Sequence, residues 1–307
     1  MRKNILVTGG AGYIGSHTVV ELFKSGYRPI IIDNLCNTSE RNLIGINKIL
    51  KTNIPFYKID CTNLKEMENI FKRYKDVYAC VHFAAYKSVG ESIENPKKYY
   101  KNNIGSIEVL LKCLNKNKFK NLIFSSSCTV YGFPDKLPID ESALFKKAES
   151  PYGETKQKCE LLINKNPCNS VSLRYFNPVG NHPSGLIADN PKNPNNIMPI
   201  LNEVAIGKRE FLQIFGKNYP TKDGTAIRDF VHVMDVGDAH YAALKKINKI
   251  KGHTVLNIGT GKGTSVLKLF NTYKLENKLK IEKIFAKRRM GDVAISFANV
   301  NKAKKIL

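Results

Sequence analysis

Short apolar runs alternate with amphipathic stretches through the first half of the chain. Runs at 4–8, 29–33, 54–59, 79–83, 121–126 and 171–175 have the length and composition of buried strands. Between two of them, Ile107, Leu110, Leu111 and Leu114 recur at i, i+3, i+4 and i+7, the spacing of one helix face. Strands alternating with helices at this interval predict right-handed crossovers and an α/β fold built on a parallel, doubly wound sheet.

The rhythm breaks after Asn177. From Pro178 to about Pro199 the chain is rich in proline, glycine and asparagine, which predicts a long functional loop. A later strand, Thr254 to Ile258, runs into Gly259-Thr260-Gly261 and a helical pattern from Ser265. The expected division is a first domain at 1–177 and 229–268, and a smaller, discontinuous second domain at 178–228 and 269–307.

Composition narrows the function classes. No run of about 18 apolar residues occurs, so a membrane-spanning helix is not expected. The chain enters its first strand within a few residues, and the expectation is a cytosolic protein without a targeting segment. Its seven cysteines contain no Cys-x-x-Cys pair, which predicts free thiols in a reducing compartment. The six histidines lack metal-ligand spacing, so no metal is expected. A formal charge of +23 suggests nucleic acid at first sight. The excess is scattered lysine without interleaved aromatics, so it reads as solvated surface, and no nucleic-acid partner is expected.

The first strand leads into Thr8-Gly9-Gly10-Ala11-Gly12-Tyr13-Ile14-Gly15. Glycines at this spacing permit a tight turn and let backbone approach a pyrophosphate, which the following helix N-terminus attracts. The second strand ends in Asp33, where a carboxylate would take both ribose hydroxyls of a dinucleotide and repel a 2′-phosphate. This combination predicts a Rossmann-type sheet binding NAD. The cluster Gly259 to Thr264 lacks the Gly-Lys-Ser/Thr ending of a phosphate loop and reads as a strand-to-helix turn.

Tyr152 and Lys156 stand four residues apart in Ser150-Pro151-Tyr152-Gly153-Glu154-Thr155-Lys156. On a helix they share one face, and an ammonium beside a phenol favours the phenolate. Upstream, an apolar strand ends in Ser125-Ser126-Ser127, at the sheet end where ligands bind. A serine there can hold a substrate hydroxyl that the tyrosinate deprotonates.

With these parts in order, the sequence resembles the UDP-glucose 4-epimerase family, extended members of the short-chain dehydrogenases/reductases, along nearly its whole length. Further matching stretches are His82-Phe83-Ala84-Ala85, Arg174-Tyr175-Phe176-Asn177-Pro178, Asn195 to Pro199 and Asp223 to Asp235. The resemblance implies that Ser127, Tyr152 and Lys156 are catalytic. It implies that NAD is held by Gly9, Gly12, Tyr13, Ile14, Asp33, Asn34, Asn37, Asp60, Cys61, Phe83, Ala84, Lys87, Asn102, Tyr152, Lys156 and Phe176. A UDP-sugar would meet Ser127, Asn177, Asn196, Ile197, Gln213, Phe215, Arg228, Arg289, Asp292 and Ser296. It further implies UDP-glucose and UDP-galactose as partners in a reversible C4 epimerisation, and a homodimer. Ala85 and Cys128 depart modestly from the family pattern.

In many bacterial relatives a tyrosine stands four places after the aspartate of Arg-Arg-x-Gly-Asp; here Arg288-Arg289-Met290-Gly291-Asp292 is followed at that place by Ser296. A pocket roomy enough for UDP-N-acetylglucosamine and UDP-N-acetylgalactosamine is the expectation, unless Phe297 fills the gap. The alternatives are a nucleotide-sugar 4,6-dehydratase and a catalytically silent NAD- or RNA-binding module. Cys128-Thr129 stand where a dehydratase carries Asp-Glu, and an intact Ser-Tyr-Lys set argues against silence.

Overall fold

In the computed structural model, residues 2–289 and 291–307 are described; Met290, inside the Arg288–Asp292 motif, lies outside them. Seven parallel strands form the main sheet: β1 (Asn4–Thr8), β2 (Arg28–Ile32), β3 (Phe56–Tyr57), β4 (Val77–His82), β5 (Asn121–Ser127), β6 (Asn169–Tyr175) and an edge strand, His253–Ile258. Their order, from that edge, is His253–Ile258, β6, β5, β4, β1, β2, β3. The order reverses between β1 and β4, so the crevice at the carboxyl ends of these strands is the expected ligand site.

Burial on both faces explains the near-continuous apolar strands. Ile5 and Val7 of β1 face one cluster with Val19, Ile46 and Val236, from helices 13–24, 41–50 and 233–246. Leu6 faces the other, with Met67, Leu110 and Ile163, from helices 64–73, 105–116 and 151–164. The strands sit where the apolar runs place them, except that 54–59 contributes only Phe56–Tyr57. That strand is the sheet edge, and Pro55, lacking an N–H, enters the ladder only as an acceptor from the amide of Ile31 at 2.8 Å.

The helix that carries Tyr152 and Lys156, Pro151–Asn164, begins where the sequence places it. Ser150 caps it, accepting from the Gly153 amide at 3.1 Å, and Pro151 opens its first turn. Its buried Glu160 takes a forked bond from Arg174 of β6, Nε at 3.0 Å and Nη2 at 2.6 Å, and also accepts from Ser126 of β5. A carboxylate and a guanidinium are therefore buried as a pair, which locks the helix against β5, the strand that ends in the serine run, and its neighbour β6.

A smaller apolar cluster joins Leu201 and Val204 of helix 197–205, Leu212 and Ile214 of strand 211–215, Phe270 and Ile281. Strand 211–215 pairs in parallel with 282–286. The last helix, Asn301–Ile306, instead packs Ala303 and Ile306 on the main-sheet cluster. No described helix is long and apolar enough to cross a membrane.

Candidate active site

The carboxyl ends of the strands open on a cleft enclosing about 1100 Å³, its solvent-open part included. It is lined by Gly9, Gly12, Tyr13 and Ile14 after β1, Asp33, Asn34 and Asn37 after β2, and Asp60 and Cys61 after β3. Phe83, Ala84 and Lys87 follow β4, and Asn102, Tyr152 and Lys156 complete the set. Phe176 is instead buried in an apolar cluster with Val130, Tyr131, Ile139 and Ala298.

The glycine turn is shaped by close approach. Gly9 has φ +69°, and a Cβ there would lie 2.7 Å from the Ala84 nitrogen; one on Gly15 would lie 2.2 Å from the Gly9 carbonyl oxygen. Helix 13–24 starts at Gly12 with no side-chain cap and no acidic residue in its first turn, so its N–H groups remain available to an anion. Asp33 is buried, and its carboxylate accepts from the Ala11 amide at 3.1 Å and the Leu35 amide at 2.9 Å. Burial raises its pKa, and the two N–H bonds oppose that rise. Asn34 donates to Asp60 at 3.1 Å. Open amides, a fixed carboxylate and a cleft of this size fit a dinucleotide without a 2′-phosphate.

Lys156 is buried, and its ammonium donates to the Ser125 carbonyl at 2.7 Å. Burial pushes it down to about 8, opposed by the fields of Cys159 and Glu160. The nitrogen lies 5.9 Å from the Tyr152 ring centroid and 4.7 Å from that of Phe124. Tyr152 is buried too, and its phenol is pushed up to about 12 by desolvation, with a Ser127 hydrogen bond pulling the other way. The protein alone thus raises this phenol, against the expectation from lysine spacing. The reason is that Lys156 spends its short bond on a backbone carbonyl, while burial penalises the phenolate.

Ser127 accepts from the Thr129 amide at 3.2 Å and from the Thr129 hydroxyl at 3.0 Å. With its lone pairs so used, its own O–H is free to be donated, toward a phenolate or a substrate oxygen. His82, at the end of β4, stays neutral: burial pushes it down to about 3, and it bonds Thr8 at 2.8 Å. Cys128 is pushed up to about 11, chiefly by burial.

A second group of residues gathers on the short strands beyond the cleft. Arg228 lies 3.6 Å from Asp292, and the Arg289 guanidinium stands 3.9 Å from the Phe215 ring centroid. Burial, opposed by Asp292 and reinforced by Arg228, lowers the Arg289 pKa. Ser296 is buried and pairs in register with Arg228, and it lies near enough to the Cys128 thiol to oppose the rise that burial causes there. Gln213 and Phe215 share one side of strand 211–215, while Leu212 and Ile214 turn into the core. Asn196 and Ile197 form the N-terminus of helix 197–205, and the backbone N–H of Asn177 donates to the backbone carbonyl of Asp229 at 3.0 Å.

Sequence reasoning missed several residues. Ser125, Tyr175 and Asp189 line the cleft, and Ser125 bonds Tyr175. Tyr175 belongs to a matched stretch, but only its position at the end of β6 shows that it lines the cleft. Asp229, fully buried, accepts from the amides of Thr260, Gly261 and Ala298 and from the Thr260 hydroxyl, at 2.6–3.1 Å. A carboxylate therefore fills the donor nest of the Gly259–Thr264 turn, which bears out its reading as structural. Among the described residues, no cluster of three or more His, Cys, Asp or Glu could hold a metal ion.

Residues 5–259 match the family model described as "NAD dependent epimerase/dehydratase family". The chain is 46% identical over 310 residues to UDP-glucose 4-epimerase of Dictyostelium discoideum, covering 99% of this chain and 90% of that one. To the human UDP-glucose 4-epimerase it is 41% identical, covering 100% and 91%. The crystal structure of UDP-glucose 4-epimerase from Bifidobacterium longum in complex with NAD+ and UDP superimposes with a TM-score of 0.95 at 40% identity, covering 99% and 92%. That of Stenotrophomonas maltophila UDP-glucose-4-epimerase, with bound NAD and formylated UDP-arabinopyranose, gives 0.95 at 40%, covering 100% and 92%.

One prediction concerns the buried lysine. In the folded protein Lys156 keeps its proton only up to about 8, but in the unfolded chain up to its ordinary 10.5. Between those values the unfolded state binds the extra proton, so this group's contribution to stability rises with pH. Measured by urea unfolding at pH about 7 and about 10, the stability of wild type relative to Lys156→Met should rise by on the order of 2–3 kcal/mol. An unchanged difference would contradict the buried-ammonium assignment.

Proposed function

The chain belongs to the NAD-dependent epimerase/dehydratase family, and we propose that it interconverts UDP-glucose and UDP-galactose at sugar C4, with NAD as cofactor. The observation that carries this reading is Tyr152, a buried phenol one helical turn from the buried Lys156, with both residues lining the same cleft as the glycine turn and Asp33. Bound NAD supplies the acceptor for the C4 hydride and returns it. Tyr152 takes the proton of the 4-hydroxyl, and Ser127, already satisfied as an acceptor, donates to the oxygen that becomes the ketone. Lys156 keeps a fixed positive charge at the end of β5. The 4-keto sugar then turns and is reduced on its other face.

Turning over the sugar requires a firm grip on the nucleotide and a loose one on the hexose. Arg228 and Arg289 suit the diphosphate, since guanidinium forks match phosphate oxygens. Phe215 and Gln213 offer the uracil an aromatic face and an amide; Asn177, Asn196, Ile197 and Asp292 complete the site. A division into cofactor (1–177, 229–268) and sugar-nucleotide (178–228, 269–307) domains accounts for this distribution, with Asn301–Ile306 packed on the former. The family resemblance supports a homodimer in the cytosol. A dehydratase needs an acid and a base after the serine; Cys128, protonated up to about 11, supplies no base near neutral pH.

Incubation of the purified protein with UDP-galactose should yield UDP-glucose without added reductant. Tyr152→Phe should retain NAD and UDP but lose about a thousandfold in turnover. A variant within about tenfold of wild type would remove Tyr152 from the mechanism.

The small Ser296, close to Cys128 and Arg228, supports a sugar pocket that also admits an N-acetyl group at C2. The Phe297 ring packs 3.6 Å from where a Gly263 Cβ would lie, so it is directed to the Gly263 turn. Wild type is expected to epimerise UDP-N-acetylglucosamine, and Ser296→Tyr to lose that activity while keeping UDP-galactose turnover. No reaction of wild type with either N-acetylated sugar would refute the roomy pocket.

A further inference from the structure

Asp189, Asn190 and Pro191 of the segment 180–196 line the cleft, and the anchors of that segment lie on elements that carry other lining residues. Tyr13, in the first turn after the glycines, donates its hydroxyl to the Gly180 carbonyl at 2.6 Å. Ile187 is fully buried in the main-sheet cluster. Gly45 lies under Leu186 so closely that a Cβ would come within 2.2 Å of the Leu186 carbonyl oxygen. Lys192 donates to the Leu35 carbonyl at 3.2 Å.

The central anchor is Asn42, a side chain that is 2% exposed. Its amide nitrogen donates to the Ala11 carbonyl at 3.1 Å and the Ala188 carbonyl at 3.3 Å, and its amide oxygen accepts from the Ala188 N–H at 3.3 Å. One buried carboxamide thus ties the glycine turn to the crossing segment, satisfying both backbone groups of Ala188. The next residue, Asp189, lines the cleft. One oxygen of Asp189 pairs with Lys87 at 3.5 Å, and the other accepts from Asn196 at 3.2 Å. Lys87 stands on the cofactor side, and Asn196 begins the helix assigned to the nucleotide sugar.

We infer that residues 180–196 form a strap that retains the dinucleotide, with Asn42 as its latch and Asp189 as its link to the substrate site. The inference rests on the NAD reading above. A C4 epimerase must keep its reduced cofactor until the hydride returns, so dissociation has to be slower than turnover. Release requires the strap to lift, which breaks the paired Asn42–Ala188 bonds in a buried setting. Uridine diphosphate held at Asn196 fixes the far end of the strap, so it slows release further.

The test is release of bound nucleotide, followed by gel filtration and by exchange with labelled NAD. Wild type should elute with NAD; Asn42→Ala should release it about tenfold faster or more. Excess NAD should restore turnover in that variant, giving a KM for NAD with kcat close to wild type. Lys192→Ala, an exposed change, should also speed release, and it decides the matter if Asn42→Ala fails to fold. UDP should slow release from wild type but not from Asp189→Ala. Folded variants that release NAD at the wild-type rate would overturn the strap, as would a UDP effect that survives Asp189→Ala. Wild type that binds no NAD at all would instead overturn the cofactor reading.

Discussion

A charged ammonium inside a protein is costly unless something holds it, and the site is organised around one such group. Lys156 reaches the end of β5, where the Ser125 carbonyl accepts a hydrogen bond from its ammonium. One turn along the same helix face, Glu160 contributes a compensating field while it is itself paired with Arg174. One turn back lies Tyr152. Fixing the helix to β5 and β6 through Glu160 therefore fixes the spacing between lysine, phenol and cleft. The same strand end carries Ser127, so the packing that supports the lysine also aims the serine.

This arrangement raises the phenol when only the protein's own groups act on it. Lys156 is committed to a carbonyl, and desolvation dominates at Tyr152. Ionising that phenol near neutral pH needs a further positive charge beside it, which an oxidised nicotinamide carries. On this account the base is switched on by the cofactor's oxidation state. If Tyr152 is the base, as proposed, it would accept a proton while an oxidised cofactor is bound beside it and hold that proton beside a reduced one. Proton and hydride are then coupled through electrostatics rather than through motion of the helix.

Much of this was legible in the sequence because it depends on local rules. Apolar runs located the strands within a residue or two, and Ser150-Pro151 marked the helix start. The glycine turn and Asp33 announced the cofactor's place. What was not legible depends on contacts between distant segments. Nothing in Asn42 signals that its carboxamide clamps Ala188, 146 residues away. Asp229 reads as one acid in a matched stretch until four donors converge on it. Lys156 and Tyr152 were found by spacing, but spacing could not tell that the lysine bonds a carbonyl instead of the phenol.

If Tyr152 is the base, its buried phenol should ionise near neutral pH only beside the oxidised cofactor. The direct measurement is the phenolate ultraviolet absorbance that wild type has and Tyr152→Phe lacks, titrated with and without bound NAD. Bound NAD is expected to bring this titration from far into the alkaline range to near neutral pH. An identical, strongly alkaline titration in both states would contradict it.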